Sequence, residues 1–316
     1  MRDAFVRALL EEMEQDSRIV LITGDLGFGV LQPVWDRFPE RILNAGIAEQ
    51  GMVGLAAGLA ATGKIVLVYS IGNFPTLRPL EMIRNDCAYP RANVKIVCVG
   101  GGFVYGSLGM SHHATEDMAI LRALPDVTCF APGDPAEAEA ATHAAIRTAG
   151  TCYLRLGRGN EPKVHASPVV GWRLPAPLTI RQGTQIALLS AGGILTQTVE
   201  AAKLLESRGI SAEVVSFLCF KPMDREAVRK LTERFPVLLT VEEHNVTGGF
   251  GSAVCEIAAE TGNGCRVIRI GLQDCYTAVV GTQQYLREVY GMDAKSIADK
   301  AEALISEKGT DAGRNP

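Results

Sequence analysis

Short apolar runs rich in Val, Ile and Leu recur along the chain, each followed by a glycine-bearing turn or a helical segment. The first half contains "RIVLITGD", "KIVLVYS", "VKIVCVGG", "VTCFAP" and "CYLRLG", with helical stretches between them. Strands that alternate with helices at this spacing are joined by crossovers, which predicts a parallel α/β sheet. Residues 160–182 carry four prolines and no helical period, the mark of a domain boundary. Beyond it the alternation restarts with "TQIALLSAGG", "SAEVVSFL", "PVLLTVEE" and "RVIRIGL". The expectation is two consecutive α/β domains with mainly parallel sheets. They cover residues 1–162 and 183–309, with a linker over 163–182 and a tail over 310–316.

Composition narrows the function. With 316 residues, 47% of them hydrophobic, the chain can bury two sizeable cores. Net charge is −4 and no long Lys/Arg cluster occurs, so the footprint of a nucleic-acid binder is missing. Apolar stretches such as "MVGLAAGLAA" fall well short of the roughly 18 residues that span a bilayer. The N-terminal "MRDAFVRALLEEMEQD" lacks the apolar core of a signal peptide, so a cytoplasmic location is expected. Eight cysteines are scattered without a C-x-x-C pair and read as reduced, buried small hydrophobes. Of five histidines only His112 and His113 are close together, which argues against a zinc site.

Four kinds of candidate could carry chemistry, the first of them in two stretches. "LITGDLGFG" and "VTGGFGSAV" could present backbone amides to a phosphate, but neither has full G-x-G-x-x-G spacing, and plain glycine turns explain them. "GMSHHATED" ends a glycine-rich loop in two histidines; either both serve a ligand, or one is satisfied inside and one faces solvent. Arg155 and Arg158 end the strand that closes the first unit, where open α/β sheets bind ligands and a guanidinium suits phosphate. Either could equally serve a salt bridge.

The fourth is "NAGIAEQGMVGLAAGLAATG" at 44–63. Gly51, Gly54 and Gly58 leave one helix face nearly bare. Each glycine costs a helix up to about 1 kcal/mol relative to alanine, so close packing must offset the loss, either within the chain or against another chain. Glu49 stands at the start of that helix, where its carboxyl is expected to be partly desolvated.

Together, "NAGIAEQGMVGLAAGLA", "GMSHHATEDMAILRALPDVTCFAPGDPAE" and "YLRLGRG" resemble the pyrimidine-binding domain of the transketolase family of thiamine diphosphate enzymes. "KPMD" at 221–224 and "TVEEHNVTGGFGSAV" at 240–254 resemble that family's C-terminal domain. The resemblance implies that Glu49 hydrogen-bonds the cofactor's aminopyrimidine and sets the tautomer that removes a proton. It further implies that Phe74 stacks on that ring and that Ile71 stands where a second aromatic is common. Asp25 lies near the thiazolium, His112 contacts substrate and acts in catalysis, and His113, Arg155 and Arg158 face the substrate side, with Arg158 reading a phosphate. The implied reaction moves a two-carbon ketol unit from a ketose to an aldose.

Two departures bear on substrate and partner. Leu108 replaces an aspartate that reads a sugar hydroxyl in transketolases, which have "DGPTH" where this chain has "LGMSH". The family's "GDG", which binds Mg²⁺ and the diphosphate, is absent; "GDL" at 24–26 and "GDP" at 133–135 lie in other contexts. The resemblance therefore implies the C-terminal half of a split transketolase. Its Mg²⁺ ligands would come from a partner chain bearing "GDG" and a downstream asparagine, the whole forming a dimer of heterodimers. The alternatives are a β subunit of a 2-oxo acid dehydrogenase, a deoxyxylulose phosphate synthase-like decarboxylating enzyme, and a catalytically silent scaffold subunit.

Overall fold

The computed structural model describes residues 1–311 and contains two sheets. In chain order the strands of the first half are β1 (Ile19–Thr23), β2 (Ile42–Asn44), β3 (Ile65–Ile71), β4 (Val94–Val99), β5 (Val127–Phe130) and β6 (Thr151–Leu156). Those that follow are β7 (Leu178–Arg181), β8 (Ile186–Ala191), β9 (Ala212–Ser216), β10 (Cys219–Lys221), β11 (Val237–Asn245) and β12 (Arg266–Leu272). The first sheet runs β10-β5-β6-β4-β3-β1-β2 and the second β12-β11-β8-β9-β7.

The six strands of the first half are all parallel to one another, with Ile19 beside Ile65 and Val66 beside Val94. Their apolar runs are buried along most of their length, as expected of parallel strands covered on both faces. Helices Arg2–Gln15 and Pro135–Arg147 cover one face, packing Phe5, Leu9, Ala138 and Ala141 onto Leu21, Leu67, Val97 and Leu154. On the other face Met52, Val53 and Ala56 of helix Glu49–Ala61 meet Ile22, Val66, Val68 and Ile96. That core continues into the second sheet through Leu189, Phe217, Leu238 and Phe250, so the two units share apolar packing.

The expected boundaries shift in two places. The span 163–182 ends in β7, which pairs antiparallel with β9 and so opens the second sheet; four residues after a proline-rich stretch are too few to show a period. Strand β10 leaves the second half and pairs antiparallel with β5, Cys219 opposite Phe130, so it closes the edge of the first sheet. The last helix runs Ala294–Asp311, across the expected start of the tail, whose residues 312–316 lie outside the described residues. Five of the eight cysteines are buried, Cys255 and Cys265 are half-buried and Cys275 is exposed. No helix among the described residues is long and apolar enough to cross a membrane.

Candidate active site

Because β1, β2, β3, β4 and β6 are parallel, the segments that follow them emerge on one edge of the sheet, where open α/β folds bind ligands. Asp25 follows β1, Glu49 follows β2, Phe74 follows β3, His112 follows β4 and Arg158 follows β6. Topology alone thus gathers residues 133 positions apart in sequence (158 minus 25).

Glu49 is the first residue of its helix and is only 4% exposed. The helix N-terminus favours a carboxylate there. Its Oε2 accepts a hydrogen bond of 3.0 Å from Arg78 Nη1. The Arg78 guanidinium also lies over the Phe74 ring, Cζ 4.0 Å from the centroid. Phe74 meets the His112 imidazole edge-on, ring centroids 5.2 Å apart. Glu49, Arg78, Phe74 and His112 therefore form one continuous set. A depression of about 420 Å³ opens on Glu49, lined by Ile47, Ala48, Gln50, Gly51 and Arg78.

Ile71 is half-buried at the end of β3, beside Val99. Asp25 has φ +56, a left-handed conformation that a non-glycine residue adopts only when held. Asn44 holds it: Asn44 Oδ1 accepts from the Asp25 amide at 2.9 Å and Asn44 Nδ2 donates to Asp25 Oδ1 at 3.0 Å. Leu108 is exposed on the loop after β4.

The two histidines part company. His112 is half-buried, its Nδ1 3.1 Å from Ser111 Oγ. His113 is 1% exposed, with Nδ1 2.8 Å from Thr277 Oγ1, Nε2 3.4 Å from the Gly106 carbonyl, and burial pushing its pKa down. It ties the loop to the second domain and has no nitrogen left for substrate. The pair is one satisfied and one accessible histidine.

The two arginines also separate. Arg158 is exposed, 5.5 Å over the Tyr105 ring, and free to meet an anion. Arg155 is buried: Nε donates to Asp117 Oδ2 at 2.7 Å, and Nη2 donates to the carbonyls of Ala114 at 2.7 Å and Glu243 at 3.0 Å. Burial alone would raise the Asp117 carboxyl, yet Arg155 and His244 hold it below its ordinary value. Arg155 joins the two domains rather than facing a ligand, although its edge touches a cleft of about 300 Å³ lined also by Arg158, Gln283 and Arg287.

Among the described residues no group of three or more His, Cys, Asp and Glu side chains could hold a metal ion. Arg78 and Asn44 were not expected at the site. The available signal for Arg78 is its place four residues after Phe74 in "FPTLRP", the spacing that brings two side chains to one helical face.

Residues 1–163 match the family described as transketolase, pyrimidine binding domain, and residues 177–297 match transketolase, C-terminal domain. A "Putative transketolase C-terminal section" of Methanocaldococcus jannaschii is 34% identical over 302 residues, covering 95% of this chain and 94% of that protein. One of the subunits of an apulose-4-phosphate transketolase from Actinobacillus succinogenes is 34% identical over 275 residues, covering 87% and 88%. A solved structure described as "Split gene transketolase, inactive beta4 tetramer" superposes with a TM-score of 0.88 at 35% identity, covering 96% of this chain and 98% of that one. Both domains, in this order and over nearly the whole length, place the chain in the transketolase family, among its C-terminal-section subunits.

Proposed function

We propose that this chain is the C-terminal-section subunit of a thiamine diphosphate-dependent transketolase that moves a two-carbon ketol unit from a ketose to an aldose. The observation that carries the reading is Glu49, a buried carboxylate at a helix N-terminus joined through Arg78 to the ring of Phe74. A planar guanidinium already sits between them, so the seat accepts a flat group that donates a hydrogen bond to Glu49 while stacking on Phe74. An aminopyrimidine has the same flat shape, and its ring nitrogen presents an N–H to the carboxylate when it carries a proton. When bound, thiamine diphosphate supplies a nucleophilic carbon and an electron sink that no side chain provides.

The chain's own residues have separable roles. Glu49 holds a proton at the ring nitrogen of the aminopyrimidine and so sets its tautomer. Phe74 and Ile71 fix the ring plane, and Asp25, locked by Asn44, borders the cofactor's other end. His112 bonds substrate oxygens, and Arg158 pairs with a substrate phosphate. Leu108 offers no hydrogen bond to a sugar hydroxyl, which favours a substrate other than the usual pentose phosphates.

The diphosphate and Mg²⁺ belong to a partner chain bearing a Gly-Asp-Gly and a downstream asparagine, in a dimer of heterodimers. Supporting this, Gly51, Gly54 and Gly58 are exposed, and a Cβ added at Gly54 or Gly58 would meet nothing within 4 Å. The same face carries exposed Leu55, with Ile47 exposed just before the helix. A relative described as an inactive β4 tetramer fits a subunit that needs another chain in order to turn over. The test is reconstitution with thiamine diphosphate and Mg²⁺. Ketol transfer is expected only after the partner is added, and turnover by the purified chain alone would overturn the two-chain reading. Release of CO₂ from a 2-oxo acid would instead favour a decarboxylating enzyme.

A further inference from the structure

Arg78 occupies the seat described above, and the geometry points to a role for it: in the free chain Arg78 is a built-in stand-in for the aminopyrimidine, a latch that must leave before cofactor binds. The inference rests on the reading of Glu49 and Phe74 as that seat.

Three features converge on this residue. Its guanidinium is planar and delocalised and carries N–H donors in its own plane, as an aminopyrimidine does through its exocyclic amino group and, once protonated, its ring nitrogen. It makes both contacts the ring would make, 3.0 Å to Glu49 Oε2 and 4.0 Å over the Phe74 ring. One carboxylate oxygen and one ring face cannot serve both groups at once. Its side chain is nevertheless 47% exposed, so a route outward is open.

The backbone is arranged for a side-chain swing. The Arg78 carbonyl accepts from Gln50 Nε2 at 3.3 Å, and Pro79, which follows, is buried. The main chain can thus stay fixed while the side chain rotates away. Without Arg78, the free chain would keep a carboxylate, 4% exposed, with no cation beside it. With Arg78 in place, cofactor entry exchanges the guanidinium for the pyrimidine ring on the same carboxylate and the same ring face.

The probe is the pyrimidine fragment alone, 4-amino-5-hydroxymethyl-2-methylpyrimidine, titrated by NMR into the purified full chain. A latch closed about nine-tenths of the time weakens apparent affinity about tenfold. Arg78→Ala should therefore bind the fragment about tenfold more tightly than the parent, and adding Phe74→Ala to it should remove the gain. Equal affinity of parent and Arg78→Ala overturns the latch but leaves the seat standing, and weaker binding by Arg78→Ala overturns it by making Arg78 a ligand. If the parent, Arg78→Ala and the double variant give the same titration, with no dependence on Phe74, the seat falls with the latch.

A second measurement needs no fragment. Rotation about the Arg78 Nε–Cζ bond should be slow in the free parent, giving separate Nη signals, and fast in Glu49→Ala, which leaves no acceptor. Fast rotation in the free parent overturns the proposal.

Discussion

Arg155 Nε lies 2.7 Å from Asp117 Oδ2, and the two side chains are 3% and 0% exposed. Tyr153 donates its hydroxyl proton to the same carboxylate oxygen. The guanidinium also donates to the carbonyls of Ala114 and Glu243, so β6, the histidine loop and β11 of the second domain meet on one cation. Gly101 is needed beside it, because an added Cβ would come within 2.8 Å of the Arg155 side chain.

Breaking that pair from one side leaves an uncompensated buried charge. Arg155→Met is expected to cost about 3–5 kcal/mol, read as a lower urea midpoint. Arg158→Met, at an exposed position, should leave stability within about 0.5 kcal/mol while raising KM for a phosphorylated substrate in the reconstituted enzyme. Equal stability losses in the two variants would refute the division of labour between these arginines.

Glu49 should be needed for turnover but not for assembly. Glu49→Gln keeps a hydrogen-bond acceptor for Arg78 and removes the proton-holding group, so kcat is expected to fall about 10²–10⁴-fold. Size-exclusion profiles with the partner chain should stay unchanged. A fully active Glu49→Gln complex would remove the carboxylate from catalysis and would revive the scaffold alternative.

Legibility in the sequence followed distance along the chain. The parallel sheets were readable because the runs of β1, β3, β4, β5 and β6 are short, rich in branched residues and bounded by glycine, proline or helical segments, signals that act within a few residues; β2, three residues long, was not legible. Strands β7 and β10 were not, since four and three residues show no period and both gain their place only from partners far away. Glu49, Phe74 and His112 could be named from motifs, and the topology brings them to one edge. His113 and Arg155 looked alike to their neighbours His112 and Arg158 because sequence does not reveal which of two close polar residues turns inward. Thr277 and Asp117 decide that, at separations of 164 and 38 residues.

The junction between linker and first domain should be pH-sensitive. Asp134 accepts from the amides of Val164 and His165 at 2.9 Å each, and Glu137 accepts from Gly133 N and Ser216 Oγ. Burial pushes the Glu137 carboxyl up from its ordinary 4.5 to about 7. The Asp134 side chain, 3.2 Å from His165 Nδ1, raises the histidine. Both groups hold more protons folded than unfolded, so stability falls as pH rises, from about 4.5 through 7 for Glu137 and above 6.5 for His165. Asp134 has the opposite sign: burial would raise it, but His165 and backbone amides bring it to about 2, so its contribution is lost only as pH falls below about 3.8. Urea midpoints should decline between pH 5 and 7, and Glu137→Gln should flatten that decline; an unchanged slope would assign it elsewhere.

The glycine face permits a test in which stability and assembly move in opposite directions. A side chain added at Gly58 meets nothing within 4 Å, and the residue sits inside helix Glu49–Ala61 with no positive φ. In the free chain Gly58→Ala should therefore raise stability, by up to about 1 kcal/mol, because glycine's backbone entropy is no longer lost. If the bare face exists for close approach of another chain, the larger Gly54→Leu should also leave the free chain folded yet weaken partner binding, as a side chain now occupies the contact. Calorimetric titration with the partner reads the second effect, and thermal melting of the free chain reads the first. Full-affinity binding by Gly54→Leu would mean that this face stays in solvent in the assembled enzyme. The glycines would then need a reason other than subunit contact.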